Sequence, residues 1–185
     1  MTTPRVWVRL DRIVVAEREL QRATAILGLE ALAEASGIAL PGDGSASTSR
    51  SHSGQFVAVC LGESGRCGID IEPVDRPVNL ERIADRLLTP PELAELAAAT
   101  DEVEVRAVML RAWTTREAAW KAAGHGLAGL TMTFTMHGDS GADVVEVEVA
   151  DLPPLQVRRF RWEGAQVAVA TELGTELVFD GFRVD

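Results

Sequence analysis

The chain of 185 residues has no tyrosine, two cysteines and a single lysine, Lys121. Each scarcity excludes something. Cys60 and Cys67 are too few for the disulfide framework of a small secreted domain and lack the partners of a zinc site, so they read as small core residues on neighbouring strands. Positive charge is also short, with 18 Lys and Arg against 28 Asp and Glu and a net charge of -10. A surface of that sign does not hold nucleic acid or anionic membrane non-specifically. Any anionic ligand would then need a local arginine cluster or a metal. No apolar run approaches the length of a membrane helix, which leads to the expectation of a soluble, cytoplasmic protein. With 46% hydrophobic and 25% charged residues, the composition is that of a folded chain, one domain or two small fused halves.

The lone lysine lies in the stretch Trp113 to Leu127, which predicts a helix. Glu117 and Lys121 stand four apart and so stack on one helix face, while Trp113 and Trp120 tilt that face towards the core. An ordinary helix ion pair, worth a few tenths of a kcal/mol, explains the spacing. It does not explain why a chain that otherwise uses arginine keeps one ammonium here.

Arg5 to Leu10 alternates and predicts a strand. Glu17 to Ala35 has Leu20, Ala23, Ile26, Leu27 and Leu32 at helical spacing, with Gly37 as the stop and Arg18 and Arg22 sharing a face. Pro41 to Ser53, rich in serine and glycine, predicts a loop in which His52 precedes Ser53 and Gly54. Phe56 to Leu61 and Cys67 to Glu72 predict two strands joined as a hairpin through Gly62-Glu63-Ser64-Gly65. In the second strand Ile69 and Ile71 face one way, Asp70 and Glu72 the other. An outward polar face is the plain explanation of that Asp-x-Glu. Yet carboxylates are poor strand formers, and two side by side repel unless a cation sits between them. Magnesium takes one or two protein carboxylates and fills its octahedron with water and phosphate oxygens. Glu117 would be a third oxygen ligand if its helix packs over this strand.

Further along, Asn79 to Leu88 predicts a short helix capped by Asn79. Thr89-Pro90-Pro91-Glu92 opens another that runs to about Ala99, and Asp101-Glu102 opens the long helix, which ends near Gly124. Thr131 to Met136, Val144 to Val149, Leu155 to Trp162, Val167 to Glu172 and Leu177 to Phe179 predict an antiparallel meander. Arg158, Arg159 and Arg161 decorate one of its strands and face either a ligand or solvent.

Three separated segments carry a resemblance: Ser51-His52-Ser53-Gly54, Gly68-Ile69-Asp70-Ile71-Glu72 and Trp113-Thr114-Thr115-Arg116-Glu117-Ala118-Ala119-Trp120-Lys121. In order and spacing they resemble the blocks of the Sfp-type 4'-phosphopantetheinyl transferases. Ala123 to Leu127, and Arg86 to Thr89 with Glu92, add to the likeness. It implies an α+β fold of two pseudo-symmetric halves with antiparallel sheets. The N-terminal half, residues 1–66, would be abbreviated and carry the His motif, and residues 67–185 would carry the metal and Glu/Lys motifs. The implied reaction moves the phosphopantetheine arm of coenzyme A to a serine of an apo acyl or peptidyl carrier protein, as in polyketide and nonribosomal peptide assembly. Adenosine 3',5'-bisphosphate is released.

By the same resemblance Asp70, Glu72 and Glu117 hold magnesium or manganese against the pyrophosphate of coenzyme A. His52 contacts a phosphate of the nucleotide, Lys121 contacts the pyrophosphate, and Glu117, or a water it orients, takes the serine proton. Arg116 stands where the family has lysine and would add positive charge there. The segment before Ser51 is short and lacks a Gly-Lys-Pro block, so Arg50, Arg18 and Arg22 are expected to replace its 3'-phosphate contacts. Both halves lie in one chain, so a monomer is expected. Two other functions share these motifs: a non-catalytic relative that binds carriers or coenzyme A, and a different magnesium-dependent reaction on a pyrophosphate or carrier-bound substrate.

Overall fold

The computed structural model describes residues 3–40, 47–76 and 84–182. The chain runs β1 (Arg5–Arg12), α1 (Arg18–Ser36), β2 (Ser47–Ser53), β3 (Phe56–Gly62), β4 (Cys67–Pro73), then the helical segments α2 (Ala84–Leu87), α3 (Pro90–Ala98) and α4 (Glu102–Ala122). A 3-10 turn at Gly126–Thr131 leads into β5 (Phe134–His137), β6 (Val144–Val149), β7 (Leu155–Trp162), β8 (Ala165–Glu172) and β9 (Glu176–Phe179). The fold is α+β with largely antiparallel sheets, as the sequence predicts.

Two sheets form, one in the order β2-β3-β1-β9 and one in the order β4-β8-β7-β6-β5. They face each other across a core in which Val6, Val8, Phe56, Ala58 and Cys60 meet Ile69, Ile71, Val167 and Val169. On the outer face of the first sheet α1 packs Ala25 and Leu32 against Trp7, Val57, Val59 and Leu61. On the outer face of the second, α4 sets Ala112, Ala118, Ala119, Trp120 and Ala122 over Val145, Val147, Val157, Ala168 and Ala170. Both central strands β3 and β8 are therefore buried on two faces, which explains their unbroken apolar runs.

The ends of the helices follow their sequence signals. Gly37 closes α1 in the left-handed region at φ 73°, donating to Ala33 O. Asp101 caps α4 by accepting the amides of Val103 and Glu104, both at 2.9 Å. Thr89 N–H and its hydroxyl both donate to Glu92 at the start of α3.

Three expectations are corrected. Residues 47–53 form a strand, not a loop: the backbone pairs with β3, and every second residue is a serine that reaches across to β4, so an all-polar segment is held as an edge strand. β3 and β4 are not a hairpin; β3 pairs with β1 and β2, whereas β4 pairs with β8 in the other sheet. The turn between them passes the chain from one sheet to the other. β9 leaves the meander and pairs in parallel with β1, Val6 opposite Leu177. The helix around Asn79 falls partly outside the described residues, with 84–87 helical. Cys60 and Cys67 are buried free thiols on neighbouring strands, 3.4 Å apart.

Candidate active site

Gly68 sets the site. On β4 it shares a face with Asp70 and Glu72, and α4 lies so close that a Cβ there would come within 2.0 Å of Ala118 O and 2.5 Å of Ala122 N. Alanines do the same work around it, Ala118 and Ala122 on the helix and Ala168 and Ala170 on β8. This small-residue seam lets the helix settle directly on the strand, so Asp70 and Glu72 project against the turn of α4 that carries Glu117 and Lys121.

Lys121 Nζ donates to Asp70 Oδ1 at 2.7 Å and to the Ile69 carbonyl at 3.0 Å, and lies 3.8 Å from Glu117 Oε2. Asp70 Oδ1 also accepts from Ser51 Oγ at 2.7 Å. Glu72 accepts from Ser53 Oγ on one oxygen and from Arg76 on the other, and Arg76 also donates to Ser53 Oγ at 3.3 Å. Two buried carboxylate oxygens, Asp70 Oδ2 and Glu117 Oε1, have no hydrogen-bond partner among the described residues.

The electrostatics follow from this crowding. Burial pushes the Asp70 carboxyl above its ordinary value and Glu72 adds to the shift, against the pull of Lys121 and the Ser51 hydroxyl. Glu117 is raised to about 7, by burial first and then by the charges of Asp70 and Glu72, with Lys121 opposing. With Glu72 paired to Arg76, one ammonium is left against the two carboxylates of Asp70 and Glu117, so a further cation would stabilise the site.

Among the described residues no group of three or more His, Cys, Asp or Glu side chains is set to hold a metal ion. Lys121 sits on one oxygen of Asp70, and Arg76 and Ser53 occupy Glu72. The open oxygens of Asp70 and Glu117 remain, and two carboxylates suit a hard ion such as magnesium that draws its other ligands from water and phosphate. The residues therefore fit a divalent cation held by Asp70 and Glu117, with Glu72 beside it and engaged elsewhere.

The other expected site residues divide. His52 and Arg50 are exposed and alternate along β2 with the serines that reach β4. His52 is held below its ordinary pKa, by desolvation first and then by the charges of Arg18, Lys121 and Arg22. Arg18, Arg22 and Lys121 therefore lie near enough for their charges to act on His52.

Arg116 does not join them. Its guanidinium is 2% exposed, pairs with both oxygens of Glu92 at 2.9 and 2.6 Å, and lies 4.4 Å over the Phe134 ring. A phosphate contact from Arg116 is corrected on that ground: one residue back from Glu117 on a helix is 100° away, which turns it to α3. Burial pushes Glu92 up, but Arg116 outweighs it and keeps its carboxyl below the ordinary value.

Sequence reasoning missed the roles of Ser51, Ser53 and Arg76. Serines at 47, 49, 51 and 53 each bond to β4, at Cys67 Sγ, Ile69 N, Asp70 and Glu72. Their strict alternation was the available signal. For Arg76 the four-residue spacing from Glu72 was the only one.

Residues 66–170 match the model of the 4'-phosphopantetheinyl transferase superfamily, a span of more than half the chain that runs from the start of β4 into β8. The chain belongs to this superfamily of transferases. No curated protein matches it. The matched span contains Asp70, Glu72, Glu117 and Lys121, and stops short of His52 and Arg50.

Proposed function

We propose that this protein is an Sfp-type holo-carrier-protein synthase, moving 4'-phosphopantetheine from coenzyme A to a serine of an apo acyl or peptidyl carrier protein with magnesium or manganese. The observation that carries the reading is the pair of buried, unpartnered oxygens on Asp70 and Glu117 beside the only lysine of the chain, inside the span that matches the family. The active-site groups lie where the β2 edge of the N-terminal half, residues 1–66, meets β4 and α4 of the C-terminal half, residues 67–185. Both halves belong to one chain, so the enzyme works as a monomer.

Asp70 and Glu117 would hold the metal, through the oxygens that Lys121 and the serines leave open. When bound, the ion would act as a Lewis acid and template, neutralising pyrophosphate oxygens as the leaving group departs. Lys121 is held by Asp70 and the Ile69 carbonyl with its ammonium near Glu117, placed to meet pyrophosphate charge. Arg50, Arg18 and Arg22 supply positive charge for the nucleotide phosphates, and His52, kept neutral by its lowered pKa, offers them a ring N–H. Glu117, beside the place of the incoming serine, would accept its proton directly or through a water it orients. The serine oxygen then forms its bond to the phosphorus bearing the pantetheine arm. The pyrophosphate P–O bond breaks and its electron pair leaves with adenosine 3',5'-bisphosphate.

Intact-mass spectrometry of an apo carrier incubated with the protein, coenzyme A and magnesium tests the reading. A phosphopantetheine mass gain on the carrier supports it, and binding without modification would point to the non-catalytic alternative.

A further inference from the structure

Outside the transfer site a buried cation stands without an ion pair among the described residues. Arg159 and Arg161 alternate on β7 with Phe160, which packs into the inter-sheet core, so both arginines face α4. There they line a cavity of about 260 Å³ with Arg111, Asp143 and Gln166. Arg158 points the other way and lies over Phe179.

Arg159 is 2% exposed, yet its Nε and Nη1 have no hydrogen-bond partner among the described residues. Nη2 donates to the Ala142 carbonyl. The neighbouring acids are mostly committed elsewhere. Glu92 takes Arg116 on both oxygens. Glu95 takes Arg111 on one oxygen and the Ser140 hydroxyl, at 3.2 Å, on the other. Asp143 lines the cavity, and its backbone carbonyl accepts the Arg159 amide at 2.7 Å.

A buried cation without a counter-charge is strongly unfavourable, and a buried guanidinium N–H without an acceptor adds to that. Burial first, and then Arg111, lower the Arg159 pKa to about 10 against the opposing pull of Glu92, Glu95 and Asp143. It therefore stays charged at neutral pH. A protein of net charge -10 has gathered three guanidiniums here and left the deepest one with open donors.

We propose that the pocket formed by Arg111, Arg159 and Arg161 is a second, separate binding site for a small oxyanion. Forked guanidinium donors match phosphate and carboxylate oxygens equally. The shared chemistry is the oxyanion head, and the adjoining cavity says where the rest of a ligand would lie. That second cavity shares Ala107, Arg161 and Gln166 with the first and is walled by Val74, Val103 and Leu110. Inorganic phosphate would use the cationic end alone, whereas a carboxylic acid with a short apolar tail would use both.

Isothermal titration of the full chain with inorganic phosphate, and separately with hexanoate, at constant ionic strength set by chloride, tests this. Expected is saturable one-to-one binding of at least one probe, weakened about tenfold or more by Arg159→Met, which removes charge-assisted hydrogen bonds. Arg161→Gln, at the exposed mouth, weakens it several-fold and reports even where Arg159→Met does not fold. Lys121→Gln, which strips the cation from the transfer site, leaves the binding unchanged. Binding that survives both arginine variants, binding lost in Lys121→Gln, or no saturable binding of either probe would overturn the proposal.

Discussion

Lys121 donates to Asp70 at 2.7 Å and stands 3.8 Å from Glu117, so the ammonium ties helix to strand rather than closing a pair along the helix. Its second acceptor, the Ile69 carbonyl at 3.0 Å, fixes it from the strand side. A compact ammonium with three rotatable donors fits between those acceptors, whereas a planar guanidinium does not. Lys121→Arg is expected to lower transfer by about tenfold or more, the loss typical of a misplaced charge-stabilising group, while circular dichroism stays unchanged. Full activity would mean that the sole lysine is an accident of composition.

Metal-free stability should fall with rising pH through Glu117. Its carboxyl is raised from 4.5 to about 7, so the folded protein keeps a proton that the unfolded chain has lost. The stabilising contribution is complete below pH 4.5 and disappears as pH rises through about 7. Asp70, raised by burial, acts with the same sign. Urea denaturation in chelator between about pH 5 and pH 8 should show the fall, and Glu117→Gln should flatten it and exceed wild type at the upper end. An unaltered slope in Glu117→Gln would contradict the assignment.

Gly68→Ala should separate strand from helix. The new Cβ meets backbone atoms of α4, Ala118 O and Ala122 N, which yield only if the helix moves. Overpacking of this kind costs about 1–3 kcal/mol, and the shift would pull Lys121 from Asp70. Thermal melting and transfer rate should both drop. A variant with wild-type stability would show that the seam is looser than described.

For Arg116 the expected loss is of fold, not of coenzyme A affinity. Arg116→Ala strands the Glu92 carboxylate, itself 2% exposed, and breaking such a buried pair costs about 3–5 kcal/mol. Arg116→Met with Glu92→Leu should recover much of it. If coenzyme A titration of the folded double variant shows a large loss of affinity, Arg116 has a direct phosphate role after all.

Much of this arrangement was legible in advance, for local reasons. The α1 stop at Gly37, the cap at Asp101 and the Thr89–Glu92 contacts are short-range chemistry written in adjacent residues. The alternation of Ile69, Asp70, Ile71 and Glu72 fixed which face of β4 carries the carboxylates, and the family motifs brought α4 over it. The misreadings concern pairing at a distance. A glycine-bounded turn between β3 and β4 looks the same whether the strands pair or part into two sheets. The parallel pairing of β9 with β1 joins opposite ends of the described chain, where no local pattern reports it. β2 is a strand because its backbone pairs with β3 and its serines bond across to β4, although serine and histidine alone suggest a loop. Arg116 was misassigned because motif position ignores helical rotation: its neighbour Glu117 faces Lys121 and the carboxylates of β4, while Arg116 faces Glu92.

The most direct test of the account is the mass of an apo carrier protein after incubation with this protein, coenzyme A and magnesium, run beside Asp70→Asn. The account predicts a phosphopantetheine adduct on the carrier serine with the wild-type protein, and none with Asp70→Asn or in the presence of a chelator. A carrier left at its apo mass by the folded wild-type protein, across acyl and peptidyl carriers, would contradict it.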